Sequence, residues 1–185
     1  MPSLKEKYNK EVAPQMQKVF GYKNTMAVPK ILKVVINTCF GKTAVTKTSG
    51  EREKVQNLIM QDLSSISGQK PKLVKSKKSI AAFKLREGLE IAAMVTLRKN
   101  KMWDFLERLV YLSFPRSRDF KGISQKTIDK KGNLNIGFRE HISFPEIFAE
   151  KEKTIFGLEI TIVTNAKSKE EGLELYKLLG FPIKD

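Results

Sequence analysis

From Leu4 to Phe20 apolar residues recur near helical spacing, at Leu4, Tyr8, Val12, Met16, Val19 and Phe20, along an otherwise polar, charged segment that ends at Gly21. That pattern predicts an amphipathic helix. Pro14 falls in the middle of it, and a proline removes a backbone donor and crowds the turn before it. Two solutions stay open: a helix that begins near Ala13 with Pro14 in its first turn, or two short helices that meet there. Lys30 to Thr38 alternates instead. Leu32, Val34 and Ile36 fall on one side and Lys33, Val35 and Asn37 on the other, the period-two signature of a half-buried strand, with Pro29 just before it.

Gly41 to Gly50 (GKTAVTKTSG) is small, polar and basic, and reads as a mobile loop. It leads into a predicted helix with Glu51 and Glu53 in the first turn, where acids suit the dipole, and a stripe of Val55, Leu58, Ile59, Leu63 and Ile66 that stops at Gly68. Alternation returns from Leu89 to Arg98. Leu89, Ile91, Ala93, Val95 and Leu97 form its buried side, while Glu90, Met94, Thr96 and Arg98 face the other way. Asn100 to Leu112 is apolar nearly all round, predicting a helix packed on several sides with Trp103 in the core and Pro115 as its end. Two more strands follow, Asn133 to Arg139 burying Leu134, Ile136 and Phe138, and Thr154 to Thr164 burying Phe156, Leu158, Ile160 and Ile162. Ser168 and Glu171 then make an S-x-x-E capping box for a last helix through Leu173, Leu175, Tyr176, Leu178 and Leu179 to Gly180.

Four half-buried strands interspersed with helices predict an α+β fold: a mostly antiparallel sheet with helices packed on one face and the polar face left open. The open face is expected to carry Lys33, Asn37, Thr96, Arg98, Asn135 and Arg139 and to extend to His141. At 185 residues and without repeats or low-complexity tracts, the chain reads as a single domain over residues 1–185.

Charge narrows the partners. Lys and Arg number 35 against 20 Asp and Glu, a net charge of +15 that predicts attraction to a polyanion, nucleic acid before an anionic membrane surface. More than half of that surplus sits between Lys70 and Lys101, where ten basic residues face only Glu87 and Glu90. The centre of this window, KPKLVKSKKSIAAFKLREG, mixes clustered lysines with hydroxyls and one aromatic ring, Phe83, a combination suited to phosphates and to base stacking. A solvated lysine-rich loop is the plainer reading. No stretch approaches the roughly 20 consecutive apolar residues of a membrane-spanning helix, and Met1 to Lys10 is mixed-charge, so secretion and membrane insertion are not expected.

Catalytic chemistry finds no foothold. FGKT at Phe40 to Thr43 resembles the end of a phosphate-binding loop, but Ile36 stands where that motif requires its first glycine. His141 has no nucleophile partner in a recognisable motif, and Cys39 at a strand end reads as a small hydrophobe. With one Cys and one His, a Cys/His metal site cannot be filled, and neither a metal, a cofactor nor a catalytic residue is expected.

Six segments, in order, resemble the bacterial-type large-subunit ribosomal protein that binds 5S rRNA, the L5 family. They are FGYKN with VPKILKVVIN (Phe20 to Asn37), ISGQKPKLVKSKKSIAAFKLREG (Ile66 to Gly88), VTLRKNKMWDFLERL (Val95 to Leu109), PRSRDFKG (Pro115 to Gly122), GNLNIGFREHISFPEI (Gly132 to Ile147) and TNAKSKEEGLELYKLLGFP (Thr164 to Pro182). The resemblance implies a structural, non-enzymatic protein of the central protuberance, bound to 5S rRNA and 23S rRNA beside neighbouring large-subunit proteins. It also implies contact with a small-subunit head protein across the intersubunit bridge and with the P-site tRNA. The family's 5S contacts fall here on Asn37, Gln69, Phe83, Thr96 and Arg98, and the basic loop of Lys75, Lys77, Lys78 and Ser79 resembles the segment that reaches toward tRNA. A cytoplasmic, ribosome-bound protein is expected, the lack of a transit extension favouring bacterial cytosol over an organelle-encoded chain. A free RNA-binding regulator or RNA chaperone using the same basic face is the alternative.

The chain departs from the family twice. After the first strand the family has N-x-G-x-G-E-A, whereas NTCFGKTAVTKTSG replaces one glycine with Cys39, brings in Lys42 and lengthens the loop. From Phe148 to Phe156 a usually acidic, tyrosine-bearing segment reads FAEKEKTIF, near the expected small-subunit contact.

Overall fold

The computed structural model describes residues 3–118, 120–147 and 155–184. Its helices and strands run α1 (Leu4–Lys7), α2 (Ala13–Phe20), β1 (Ile31–Cys39), α3 (Gly41–Thr46), α4 (Ser49–Ser67), β2 (Lys72–Lys75), β3 (Glu90–Leu97), α5 (Lys99–Arg108), α6 (Phe114–Arg116), β4 (Ile123–Ser124), β5 (Leu134–Phe138), β6 (Leu158–Thr164), α7 (Lys169–Leu179) and β7 (Ile183–Lys184).

Two prolines shape the helices in the same way. Pro14 has no N–H to offer the carbonyl four residues back, and its ring would crowd that carbonyl. A π-turn over Tyr8–Val12, with the Ala13 N–H on the Tyr8 carbonyl, widens the helix just ahead of it. α2 does begin at Ala13 with Pro14 in its first turn, yet α1 and the π-turn lead into it without a break. Ahead of Pro115 the chain repeats the device. α5 passes through a π-turn over Leu109–Ser113, with the Phe114 N–H on the Leu109 carbonyl, into α6. The helix therefore continues past Pro115 and stops at Ser117.

Five strands form a mostly antiparallel sheet in the order β2-β3-β1-β6-β5 with helices packed against it, and β4 pairs with β7 in a separate parallel ladder. The alternation read from sequence sets most of the buried face: Val34 and Ile36 on β1, Ala93, Val95 and Leu97 on β3, Leu134, Ile136 and Phe138 on β5, and Leu158, Ile160 and Ile162 on β6 are all buried. Leu32 is exposed, and its neighbour Ile31 is buried in its stead. β6 begins at Leu158; the expected strand start at Thr154, like the whole of 148–154, lies outside the described residues.

β2 escapes a search for alternation because lysines occupy both ends and only Leu73 and Val74 are half-buried between them. It pairs antiparallel with β3, from Lys72 opposite Met94 to Lys75 opposite Glu90, with a slip between Val74 and Lys75 that passes over Ile91. Such a bulge breaks the period of two. Ala92 and Ala93 are consequently both buried, while Leu89 and Ile91 are not.

Gly41 to Gly50 is not a loop. α3 and the first turn of α4 occupy it, separated by Lys47 and Thr48. Thr48 and Glu51 form a capping box, the Thr48 N–H donating to the Glu51 carboxylate at 3.4 Å.

The chain divides into two compact units, one of Met1–Val35, Leu97–Ile136 and Ile160–Asp185, the other of Ile36–Thr96 and Gly137–Glu159. In the first, α1 packs with α5 and α2 with α7, burying Leu4, Met16, Phe105, Leu106, Leu109, Leu175, Tyr176 and Leu179. Trp103 is half-buried rather than core, its ring tilted against Tyr8 at 5.6 Å. α7 lies so close to the turn at Gly132 (φ +70°) that a Cβ on Gly172 would meet the Gly132 Cα at 2.5 Å. The Tyr176 hydroxyl donates to the Gly132 carbonyl at 3.0 Å, and burial, aided by the nearby Asp129 charge, raises its pKa. Asp129 ties the same turn, accepting from the Lys131 N–H, the Asn133 N–H and Asn133 Nδ2, each at 2.8 Å. Burial alone would raise its pKa, but the bonds from Asn133 and Lys131, with the Lys131 charge, hold it below the ordinary value.

In the second unit, α4 buries Val55, Ile59, Leu63 and Ile66 and leaves Leu58 exposed, while Phe138, Phe144 and Phe156 add aromatic core. His141, expected on the open face, is fully buried. Its ring stacks on Phe156 at 3.9 Å, its Nδ1 accepts from the Phe156 N–H at 3.4 Å, and its Nε2 lies 3.7 Å from Oδ2 of Asp62 on α4. The reason is local: β5 ends at Phe138 and a 3-10 turn over His141–Ser143 carries the chain inward, so strand alternation does not reach residue 141.

Candidate nucleic-acid interface

Asn37, Gln69, Phe83 and Thr96 all belong to the second compact unit. Asn37 sits half-buried on β1 between buried Ile36 and buried Thr38, whose hydroxyl donates to the Gly157 carbonyl at 2.7 Å. That bond and the core neighbours fix the strand and turn the Asn37 amide to the opposite face. Gln69 owes its position to Gly68, the left-handed C-cap of α4 (φ +63°), which reverses the chain after a helix whose stripe it could not continue. The Gln69 amide then donates to the Thr96 carbonyl at 3.4 Å, bringing these two residues together. Thr96 is itself half-buried on β3.

Phe83 closes a 3-10 turn, Ala81–Phe83, that is held by the backbone pair of Ile80 and Leu85. Its ring is 70% exposed, a large apolar surface held in water by a fixed turn. Arg98, in the first unit, follows β3 directly and caps α5 through its backbone, with the side chain exposed. Lys84 and Lys99 are the two non-glycine residues with positive φ, +50° and +54°, among the described residues. Each directly follows one of the predicted RNA residues, Phe83 and Arg98, and backbone strain of this kind concentrates where a surface must be presented in one geometry.

Lys75, Lys77, Lys78 and Ser79 follow a different plan from the free loop that sequence suggests. Lys75 ends β2 with its ammonium 4.0 Å from Glu90, an acid brought opposite it by strand pairing rather than by sequence. Ser76 is buried; its N–H donates to Leu89, its carbonyl accepts from Gly88, and its hydroxyl donates to Lys78 at 2.8 Å. Ser79 accepts from the Glu87 N–H at 2.9 Å. The exposed side chains of Lys77 and Lys78 project from this pinned turn. Of the other residues expected on the open face, Lys33 is half-buried, Arg139 is exposed, and half-buried Asn135 accepts from the Thr161 hydroxyl at 2.8 Å.

Sequence reasoning missed an apolar groove of about 460 Å³ in the second unit. α3 presents Lys42, Val45 and Thr46 to it, positions three and four apart on one helical face. Cys39, Phe83, Leu85 and Ile91 complete the lining, Ile91 being the residue that the β3 bulge passes over. Reading GKTAVTKTSG as a loop hid this wall, although T-x-x-E at Thr48 to Glu51 signalled a helix start within it. No helix among the described residues is long and apolar enough to cross a membrane.

Comparison with known proteins bears on the whole chain. Residues 24–86 match the family described as ribosomal protein L5, and residues 90–183 match the C-terminus of the same ribosomal family. The large ribosomal subunit protein uL5 of Desulforapulum autotrophicum is 48% identical over 185 residues, covering 100% of both chains. That of Halothermothrix orenii is 48% identical over 182 residues, 98% of each chain, and the large ribosomal subunit protein uL5c of Gracilaria tenuistipitata is 48% identical over 180 residues, 97% of each.

Proposed function

Because the chain belongs to the ribosomal protein L5 family, structural and non-enzymatic constituents of the large ribosomal subunit, we propose that it binds 5S rRNA and helps attach it in the central protuberance. Residues 1–185 act in this as one binding domain, with Asn37, Gln69, Phe83, Thr96 and Arg98 as the 5S rRNA contacts. Amide, hydroxyl and guanidinium groups hydrogen-bond to phosphates, 2′-hydroxyls and base edges, and the Phe83 ring stacks. The observation that carries the reading is the joint placement of four of these residues in one compact unit, solvent-accessible, on a backbone pinned by the Gln69 to Thr96 bond. In the assembled ribosome the protein also contacts 23S rRNA, neighbouring large-subunit proteins and the small-subunit head, while Lys77 and Lys78, with Lys75, meet the phosphates of P-site tRNA. Its location is the ribosome, in the cytoplasm of a bacterium.

A filter-binding titration against 5S rRNA and an unrelated RNA of equal length tests this. Selective 5S binding that weakens steeply with salt, as counterion release demands, is the expected result. Equal affinity for the two RNAs points instead to a free RNA-binding regulator or chaperone and removes the specific reading.

A further inference from the structure

We propose that the groove between α3 and the Phe83 turn seats one unstacked nucleobase of a bound RNA, the phosphates beside it resting on adjoining lysines. The groove lies entirely within the second compact unit. Its volume of about 460 Å³ falls within the range of sites that enclose small ligands. The lining is almost wholly apolar, through Cys39, Val45, Leu85 and Ile91, and the exposed Phe83 ring offers an aromatic face at the edge. Free aromatic surface of this kind is held out against the hydrophobic effect, and a flat apolar partner is what recovers the loss.

Charge selects the partner. Lys42 lines the groove, Lys84 stands between its two residues Phe83 and Leu85, and Arg86 follows, all three exposed, with no carboxylate in the lining. One cation in the lining of an aromatic, apolar cleft, with two more exposed next in sequence to its Phe83 and Leu85, matches a nucleotide, whose base is planar and apolar on both faces and whose phosphate is anionic. An apolar peptide would leave these cations without counter-charge. The cleft offers few hydrogen-bonding groups, since the Thr46 hydroxyl already donates to the Lys42 carbonyl at 3.0 Å. Base identity is therefore read weakly here, and the site adds affinity and register rather than sequence choice. This deepens the RNA-binding reading above and rests on it. It assigns a role to α3, the segment in which the chain departs from the family pattern.

Cys39 is the only cysteine of the chain, is exposed, and lines the groove, so its alkylation by iodoacetamide reports on occupancy. The full-length protein is alkylated alone, with 5S rRNA, and with a mixed-sequence single-stranded oligoribonucleotide. Both RNAs are expected to slow the reaction about tenfold, and Val45→Trp, which fills the groove from α3, to abolish that protection and weaken RNA binding about tenfold. Wild-type alkylation decides the matter even if Val45→Trp proves to fold poorly. Selective 5S binding with unchanged Cys39 reactivity overturns the groove assignment and leaves the function intact. Protection by both RNAs together with equal affinity for 5S rRNA and the unrelated RNA in the filter-binding titration supports the groove and defeats the 5S reading. Alkylation that slows with protein concentration in the absence of RNA assigns the groove to a second copy of the chain and overturns the proposal.

Discussion

Tyr176 in the first compact unit is fully buried with its hydroxyl on the Gly132 carbonyl, whereas Phe83 in the second stands 70% exposed on a turn closed by a left-handed lysine. The contrast extends to neighbouring groups. Around Tyr176, the Asp129 carboxylate, the Asn133 amide and the Thr164 hydroxyl all bond to groups of the same unit, and Gly132 and Gly172 let the backbones touch. Around Phe83, the cations of Lys42, Lys84 and Arg86 face solvent and the apolar lining encloses space. A polar or aromatic group that is satisfied inside its own unit contributes to stability, while one held unsatisfied at a fixed place is available to a partner. The groups around Tyr176 are spent on holding the first unit together, whereas those around Phe83 in the second are, on the function proposed above, left for a partner, as is Arg98 in the first.

Adjacent residues at the end of one strand, both in the first unit, give the sharpest test of the contrast between a buried and an exposed group. Leu97 is fully buried, and Leu97→Ala should lower unfolding free energy by about 2 to 5 kcal/mol in denaturant titration, with RNA affinity changed only through the folded fraction. Arg98→Ala, one residue on and exposed, should leave the denaturation midpoint alone and weaken 5S rRNA binding by about 1 to 3 kcal/mol, as should Asn37→Ala. The reverse pattern, a harmless Leu97→Ala with an unfolded Arg98→Ala, would mean that the strand faces are assigned the wrong way round.

A smaller effect separates two uses of charge inside the second unit. Changing Lys75, Lys77 and Lys78 together to Ala should spare melting temperature and most 5S binding while reducing tRNA retention in reassembled ribosomes. The salt slope of retention should drop by about one for each phosphate that no longer meets an ammonium group. Lys75, held by Glu90 at 4.0 Å, should account for the least of it. Loss of 5S binding with normal tRNA retention would move this turn into the 5S interface.

The smallest effect belongs to the first unit. Asp129 has its folded pKa depressed below the ordinary 3.8, so the stability it contributes is complete above that pH and fades as acid titrates the folded carboxylate. Between about pH 5 and pH 2 the melting temperature of the wild type should therefore fall more steeply than that of Asp129→Asn. Parallel curves for the two proteins would show that the turn at Gly132 does not depend on the carboxylate charge.

Much of the fold could be read from the chain because four strands bury one face and alternate plainly, and because Gly68 and Gly180 end helices as left-handed caps. What escaped reading came from features with no period of their own. β2 is four residues long between lysines, the bulge at Ile91 appears only when two strands are paired, and His141 is buried by a turn that follows the end of its strand. The π-turn at Tyr8–Val12 did leave a trace. Leu4, Val12 and Met16 are all buried at multiples of four residues, a spacing that would drift about 40° per step around a regular α-helix and needs an underwound segment to stay in line. Of the candidate site, residues were nameable one by one through their segments, but the groove was not, since its wall depends on α3 forming where small polar residues suggest none.

β2 has a consequence for the protein before any partner meets it. A sheet that ends in an unpaired strand offers a row of free amides and carbonyls, a template on which another copy could add its own strand and begin an aggregate. Here that border strand is short, and Lys72 and Lys75 are both exposed on it, so a newcomer would have to bring its own strand against two ammonium groups. The slip beside Val74 further spoils the straight edge that extended stacking requires. This edge of the sheet is thereby a poor template for a strand from another copy.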